Sequence, residues 1–127
     1  MTNSRERLSV VLPTYNEREN ILPLIQKLFA MEEPYDLELL IVDDDSNDGT
    51  GLIVKQLAQE NPRVRLIRRL GRSGLASAIK EGLLNATGDI AAVMDTDGQH
   101  EPEAVMAAVK KLKAEQLDVV AGSRFHR

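Results

Sequence analysis

The sequence lacks several features that define common classes of protein. It has no cysteine, no tryptophan, and only two tyrosines and two phenylalanines in 127 residues. The absence of cysteine excludes disulfides and thiolate metal sites and fits a reducing compartment, so we expect a cytoplasmic protein. The scarcity of aromatic rings argues against a surface on which nucleic-acid bases stack. No apolar run approaches the length of a membrane span, and Met1–Arg7 is polar, without the apolar core of a signal peptide.

Charge and composition narrow the class further. The chain has 16 basic and 20 acidic residues and a net charge of −4, which gives no sign of a nucleic-acid partner. Its length and its hydrophobic fraction of 43% predict one globular domain, residues 1–127, with a sizeable core. Gly74 is not part of a Gly-x-Gly-x-x-Gly pattern, so a dinucleotide-type pyrophosphate loop is not supported.

Short apolar runs alternate with amphipathic segments along the whole chain. The alternation predicts βαβ units and an α/β fold, with a mainly parallel sheet between two helix layers. We predict strands at Leu8–Leu12, Leu37–Val42, Val64–Ile67, Ile90–Met94 and Val119–Ala121, and helices at about 18–31, 50–60, 74–86 and 102–116.

The helix patterns also predict which side chains face the core. The second helix would turn Leu52, Ile53, Leu57 and Ala58 inward, with Asp48 or Asn47 as its N-cap. The apolar set of the third helix is Leu75, Ala78, Ile79, Leu83 and Leu84.

Polar residues follow the predicted strands at one edge of the sheet. In a parallel sheet of this kind, ligands bind beyond the carboxyl ends of the strands. The segments at that edge are 13–17, 43–45, 68–73, 95–99 and 123–124, whereas the helix-to-strand connections on the opposite edge are unremarkable. The sequence therefore predicts a binding site at this edge.

Two carboxylates, Asp95 and Asp97, come directly after the predicted fourth strand. Carboxylates two residues apart repel each other unless a cation lies between them, and Mg²⁺ or Mn²⁺ prefers such oxygen ligands and often also holds a phosphate. The competing interpretation is a solvated turn whose aspartates cap a helix.

Other side chains at the same edge have two interpretations each. Asp44 lies where an acidic residue contacts a ribose or base in doubly wound nucleotide-binding folds, and at least one of Asp43 and Asp45 would cap the second helix. Tyr15 either offers an aromatic face to a base or packs within its loop. The basic residues at this edge, which could neutralise phosphate charge, are Arg68, Arg69, Arg72 and Arg124. We expect Arg68 and Arg69 instead to be solvated loop charges.

Five segments together resemble family 2 glycosyltransferases of the GT-A fold, nearest to the dolichyl- and polyprenyl-phosphate sugar transferases. The segments are Val11-Leu12-Pro13-Thr14-Tyr15-Asn16-Glu17, Ile41-Val42-Asp43-Asp44-Asp45-Ser46-Asn47-Asp48-Gly49-Thr50, Gly74-Leu75-Ala76-Ser77-Ala78, Met94-Asp95-Thr96-Asp97-Gly98-Gln99-His100-Glu101-Pro102-Glu103 and Gly122-Ser123-Arg124-Phe125. They occur in the family's order, and the resemblance covers nearly the whole chain.

The resemblance implies an inverting, metal-dependent transfer of a sugar from a nucleotide-diphosphate donor, GDP-mannose or a UDP-sugar, to a polyprenyl or dolichyl phosphate or another acceptor. It implies a cofactor, Mg²⁺ or Mn²⁺, held by Asp95, Asp97 and Gln99, with Asp95 and Asp97 as the catalytic pair. The nucleoside would contact Pro13, Tyr15, Glu17, Val42 and Asp44, and the diphosphate would contact Asp95, Thr96, Asp97 and Arg124.

The sequence departs from the family pattern at Asp45, where the family usually has Gly, and at Gly98, where the nearest branch has an apolar residue. The family's domain also continues past the Gly-Ser-Arg motif into an acceptor-side half. The resemblance therefore implies that residues 1–127 are the N-terminal, donor-binding part of such an enzyme. If the acceptor is a lipid phosphate, the enzyme would lie at the cytoplasmic face of a membrane. Apolar surface left uncovered would favour a homodimer.

Two other kinds of function compete with this interpretation. One is a module on a similar sheet, either a nucleotidyltransferase, against which only the detail of the motifs argues, or a non-catalytic domain that only binds a nucleotide sugar. The other is a phosphoacceptor receiver domain of a signalling system, in which Asp95 would be phosphorylated; the lysine that such a module needs on a later strand, ahead of a proline, is missing.

Overall fold

The computed structural model describes residues 5–71, 74–96 and 102–114. In chain order the elements are β1 (Arg7–Thr14), α1 (Arg18–Ala30), β2 (Asp36–Asp43), α2 (Thr50–Glu60), β3 (Val64–Arg68), α3 (Leu75–Asn85), β4 (Ile90–Val93) and α4 (Pro102–Ala114). The predicted fifth strand, Val119–Ala121, lies outside the described residues. None of the described helices combines the length and the apolar character that crossing a membrane requires.

The four strands form one parallel sheet in the order β3-β2-β1-β4. The predicted α/β class and parallel sheet are therefore confirmed. β1 pairs with β2 along its whole length, from Arg7 with Asp36 to Thr14 with Asp43. Because all four strands run the same way, their carboxyl ends meet at one edge, where the predicted site residues follow.

Helices cover both faces of the sheet. The larger core lies under α1, α2 and α4 and contains the alternate strand residues Leu8, Val10, Leu12, Leu37, Leu39 and Ile41. On the other face, α3 packs across β1 and β2 over a smaller cluster of Val11, Val42 and Ala78. This is the three-layer arrangement that the sequence predicts.

The prediction for the inward face of α3 was wrong at three leucines. Leu75, Leu83 and Leu84 are exposed, whereas the buried positions of the helix are Ala78 and Gly82. A Cβ atom at Gly82 would lie 2.3 Å from Cγ1 of Val11, so the helix backbone rests almost directly on β1. Small residues allow this close approach, and the bulky leucines are left around it.

The inward face of α2 also differs from the prediction. Leu52 is exposed, and Val54 takes the fully buried position. Gly49, with φ of 98°, is the N-cap residue instead of Asp48 or Asn47, although the Asp48 carboxylate still accepts a hydrogen bond from the Thr50 backbone N–H at 3.0 Å. Gly49 adopts the left-handed backbone conformation that favours glycine.

β1 runs two residues further than predicted, through Pro13 to Thr14. Proline lacks the N–H that a central strand normally donates. The described ladder between β1 and β4 ends at the pair of Val11 with Val93, so Pro13 lies beyond it and can remain in the strand.

A buried carboxylate, Glu38, braces the edge of the sheet opposite the predicted site. It accepts hydrogen bonds from Ser9 Oγ at 2.7 Å and from the Thr87 backbone N–H at 3.1 Å, and Arg65 Nη1 donates to it at 3.1 Å. Burial raises the pKa of Glu38, but these hydrogen bonds outweigh burial and hold the pKa below its ordinary value of 4.5.

We expect the free energy of unfolding to depend on Glu38 in acid. Because its pKa is lowered in the folded chain, its contribution is complete above about pH 4.5 and is lost as pH falls through the folded pKa. Glu38→Gln should lower the free energy of unfolding by about 1–3 kcal/mol at pH 7 and should make it depend less on pH in acid. Urea unfolding between pH 7 and pH 3.5 measures this, with the exposed Glu60→Gln as control; equal acid slopes for Glu38→Gln and the unmutated chain would contradict it.

Candidate nucleotide-sugar site

A cleft of about 510 Å³ opens at the carboxyl edge of the sheet. It lies between the ends of β1, β2 and β4 and the first turn of α3. Its lining residues are Pro13, Thr14, Tyr15, Glu17, Asp44, Gly74, Leu75, Ala78, Asp95 and Thr96. The structure thus brings together six of the residues that the sequence assigns to donor binding: Pro13, Tyr15, Glu17, Asp44, Asp95 and Thr96.

The end of β4 is fixed to the end of β1. Thr96 is buried, and its hydroxyl donates a hydrogen bond of 2.7 Å to the Pro13 carbonyl. Asp95 is half-buried on the cleft wall, and its Oδ1 accepts the Thr96 backbone N–H at 3.0 Å. The Asp95 carboxylate is therefore held at a defined place on the cleft rather than on a loose turn.

The loops after β1 and β2 are joined by side-chain hydrogen bonds. The Asn16 backbone N–H donates to Ser46 Oγ at 2.8 Å, and the Asn47 backbone N–H donates to Asn16 Oδ1 at 3.0 Å. Asn16 has a φ of 54°, a conformation that asparagine tolerates better than most residues. The joined loops hold Tyr15, which is 59% exposed, beside the cleft, where its ring is available to a ligand.

The three consecutive aspartates after β2 have three different environments. Asp43 is fully buried and accepts hydrogen bonds from Thr14 Oγ1 at 2.7 Å and from the Ser46 backbone N–H at 2.9 Å. Asp45 is exposed and forms an ion pair with Arg68 at 3.0 Å. These contacts show that Asp43 and Asp45 brace the loop, and the prediction that one of them caps α2 was wrong. Only Asp44 lines the cleft.

Arg69 is the largest departure from the sequence-based expectation at this edge. We expected Arg68 and Arg69 to be solvated loop charges, and Arg68 is indeed half-exposed. Arg69, however, is 1% exposed, and its Nε lies 2.9 Å from Asp44 Oδ1. The N–H bond does not point at that oxygen, so the contact is an ion pair without an aligned hydrogen bond. The prediction for Arg69 was wrong because the Asp44 carboxylate provides a buried partner for its charge.

The cleft has an excess of negative charge. Glu17, Asp44 and Asp95 line it, and none of its described lining residues is basic. Carboxylates accept hydrogen bonds from a nucleoside, but a diphosphate would be repelled unless a cation were present. The carboxylate oxygens of this lining are therefore the kind of ligand that a divalent cation such as Mg²⁺ or Mn²⁺ prefers. The described residues contain no group of three side chains that could hold one, and the other expected ligands, Asp97 and Gln99, lie outside them.

Several expected contacts are not at the cleft. The Val42 side chain is fully buried under α3 with Val11 and Ala78, so it does not reach the ligand space. Arg72 and Arg124 lie outside the described residues.

Other lining residues had no expected ligand role in the sequence: Thr14, Gly74, Leu75 and Ala78. Gly74, Leu75 and Ala78 belong to one of the five segments that resemble the family, and this membership could have indicated that they lie at the site. Their place on the wall depends on how closely α3 approaches the sheet.

The parallel sheet with helices on both faces is an α/β fold of the GT-A type, and comparison with known proteins agrees. The profile of glycosyl transferase family 2 matches residues 9–127. The dolichol-phosphate mannosyltransferase of Pyrococcus furiosus is 39% identical over 119 residues, which cover 94% of this chain and 33% of that protein. The chain belongs to glycosyltransferase family 2, and it spans about a third of the length of this relative.

Two solved structures that share the fold are also similar to this chain in sequence. A mannosyltransferase from Pyrobaculum calidifontis, in complex with GDP-Man and Mn²⁺, is 34% identical with a TM-score of 0.63, over 87% of this chain and 33% of that one. The glucosyl-3-phosphoglycerate synthase of Mycobacterium tuberculosis, in complex with Mn²⁺, UDP-glucose and phosphoglyceric acid, is 26% identical with a TM-score of 0.66, over 84% and 39%. Family membership also sets aside the receiver-domain interpretation.

Proposed function

We propose that this chain forms the donor-binding part of an inverting, metal-dependent glycosyltransferase. The donor would be GDP-mannose or a UDP-sugar, and the acceptor a polyprenyl or dolichyl phosphate. The observation that carries the proposal is the acidic cleft at the strand ends, where Tyr15, Asp44 and Asp95 converge. Relatives named for dolichol-phosphate mannosyl transfer and a solved relative holding GDP-Man and Mn²⁺ support it.

The nucleoside would occupy the part of the cleft between β1, β2 and α3. Asp44 would accept a hydrogen bond from the base or ribose, and Tyr15 would offer its ring as a stacking surface. Pro13 and Glu17 lie on the same wall. Val42 would support this wall from below through its packing with Ala78.

The diphosphate would lie toward the end of β4. Asp95, Asp97 and Gln99 would hold Mg²⁺ or Mn²⁺, and the Thr96 backbone and Arg124 would approach the phosphates. Such a cation, when bound, stabilises the negative charge that develops on the nucleoside diphosphate as the sugar departs. Two contacts support this role because they fix Asp95 on the cleft wall: its Oδ1 accepts the Thr96 backbone N–H, and the Thr96 hydroxyl donates to the Pro13 carbonyl.

A phosphate acceptor is already an anionic nucleophile, so direct displacement needs no strong general base. Attack on the anomeric carbon from the face opposite the leaving diphosphate inverts its configuration. A lipid acceptor would place the protein at the cytoplasmic face of a membrane. The second candidate is donor binding without transfer, which the same cleft would also support.

Thermal unfolding with nucleotide sugars tests the proposal. We expect GDP-mannose or UDP-glucose to raise the melting temperature with Mn²⁺ present and much less with EDTA, since a ligand that binds only the folded chain stabilises it. AMP with Mn²⁺ serves as the control nucleotide. Incubation with radiolabelled donor and dolichyl phosphate then separates transfer from binding alone. No stabilisation by either nucleotide sugar would contradict the proposed function.

A further inference from the structure

Arg69 is a buried charge directly after β3. Its side chain is 1% exposed, and its backbone N–H donates to the Asp43 carbonyl at 2.9 Å. Removing a guanidinium from water is costly unless its partners compensate for the lost hydration. The exposed position of Arg68, the last residue of β3, avoids this cost, so the burial of Arg69 needs partners that explain it.

The guanidinium joins the end of β2 to the first turns of α3. Nε faces Asp44 Oδ1 at 2.9 Å, Nη2 donates to Ser77 Oγ at 2.7 Å, and Nη1 lies 3.9 Å from Glu81 Oε1. Ser77 Oγ donates in turn to the Gly74 carbonyl at 3.2 Å, and the Gly74 backbone N–H donates to Asp44 Oδ2 at 3.1 Å. Asp44, Arg69, Ser77 and Gly74 thus form a closed ring of polar contacts.

This ring fixes how Asp44 faces the cleft. Oδ1 is buried against Arg69, which leaves Oδ2, with one acceptor position used by Gly74, as the oxygen that can meet a ligand. The same ring holds the start of α3, where Leu75 and Ala78 form the opposite wall. One buried cation therefore sets the orientation of the carboxylate and the position of the helix facing it.

We propose that Arg69 is a positioning residue for the nucleoside subsite, acting through Asp44. The inference rests on the proposed function, since it assumes that a nucleoside occupies this cleft. Arg69 does not line the cleft. Its effect on binding should therefore depend on Asp44, whereas a purely structural arginine would weaken binding regardless of what stands at position 44.

A double-mutant cycle on the 127-residue chain tests the inference. The variants are Arg69→Lys, Asp44→Asn and the double variant, and the probes are GMP and UMP, measured by calorimetry. For whichever nucleotide binds, we expect Arg69→Lys to lower the affinity by about tenfold in the unmutated background. In the Asp44→Asn background the same change should lower it by less than about twofold. Arg68→Lys, next to it and paired with exposed Asp45, is the matched control and should bind as the unmutated chain does.

Each outcome decides the matter. Equal losses from Arg69→Lys in both backgrounds, or no loss in a folded variant, would overturn the inference while leaving the proposed function intact. Absence of GMP, UMP, GDP and UDP binding by the unmutated chain would overturn both. If Arg69→Lys does not fold, Ser77→Ala removes one contact of the guanidinium, and its loss of affinity should likewise disappear with Asp44→Asn; an additive loss would overturn the inference.

Discussion

Asp95→Asn should reduce the affinity for GDP in the presence of Mn²⁺ by about 5- to 150-fold, the range of a 1–3 kcal/mol coupling between two ligands. Asp95 lines the acidic cleft, and the described lining offers no basic side chain to a diphosphate. A cation shared between Asp95 and the phosphates would make each ligand raise the affinity of the other by the same factor. An amide in place of the carboxylate should remove most of that mutual effect.

Calorimetry of GDP with Mn²⁺ and with EDTA measures the effect on both chains. The affinity of the Asp95→Asn variant should differ little between the two conditions and approach that of the unmutated chain in EDTA. Asp89→Asn is a useful control, because Asp89 is an exposed carboxylate at the opposite edge of the sheet, near Arg7. A variant that keeps the full response to Mn²⁺ would show that Asp95 does not take part in metal binding.

The second large effect is expected at Asp44. Asp44→Ala should weaken the binding of the nucleoside monophosphate and diphosphate, GMP and GDP or UMP and UDP, by the same factor of about 10- to 150-fold, because a hydrogen bond to a charged group contributes about 1.5–3 kcal/mol. The loss should be the same with Mn²⁺ and with EDTA, since Asp44 lies at the end of β2, away from the β4 end where the diphosphate is expected.

The controls for Asp44 must separate binding from folding. Removing its carboxylate leaves the buried Arg69 with weaker compensation, so the variant should also be less stable and needs a folding check by circular dichroism. Asp45→Ala removes a neighbouring exposed carboxylate and should leave nucleotide affinity unchanged. A loss confined to the diphosphates would contradict the assignment of Asp44 to the nucleoside.

The order of elements and the position of the cleft were predictable from the sequence. Apolar periodicity is local, and in a parallel sheet the carboxyl ends of all strands share one edge. The cleft accordingly contains Asp44 and Asp95, which follow β2 and β4 in the sequence. The predicted strand at Val119–Ala121 lies outside the described residues and stays a prediction.

The errors arose where the outcome depends on contacts between distant segments. The leucines of α3 form a convincing apolar face by periodicity, yet Gly82 and Ala78 pack on the sheet because the helix backbone approaches Val11 closely. The burial of Arg69 depends on Asp44, 25 residues earlier, and on Ser77 of α3 reaching the same point. No local pattern in the sequence encodes such a meeting.

The central claim is that this cleft binds a nucleoside diphosphate together with a divalent cation. Isothermal titration of the unmutated chain with GDP and with UDP, each with Mn²⁺ and with EDTA, tests it most directly. We predict that one of the two nucleotides binds and that Mn²⁺ tightens its binding by about 5- to 150-fold. Equal affinity with and without metal, or no binding of either nucleotide, would contradict the claim.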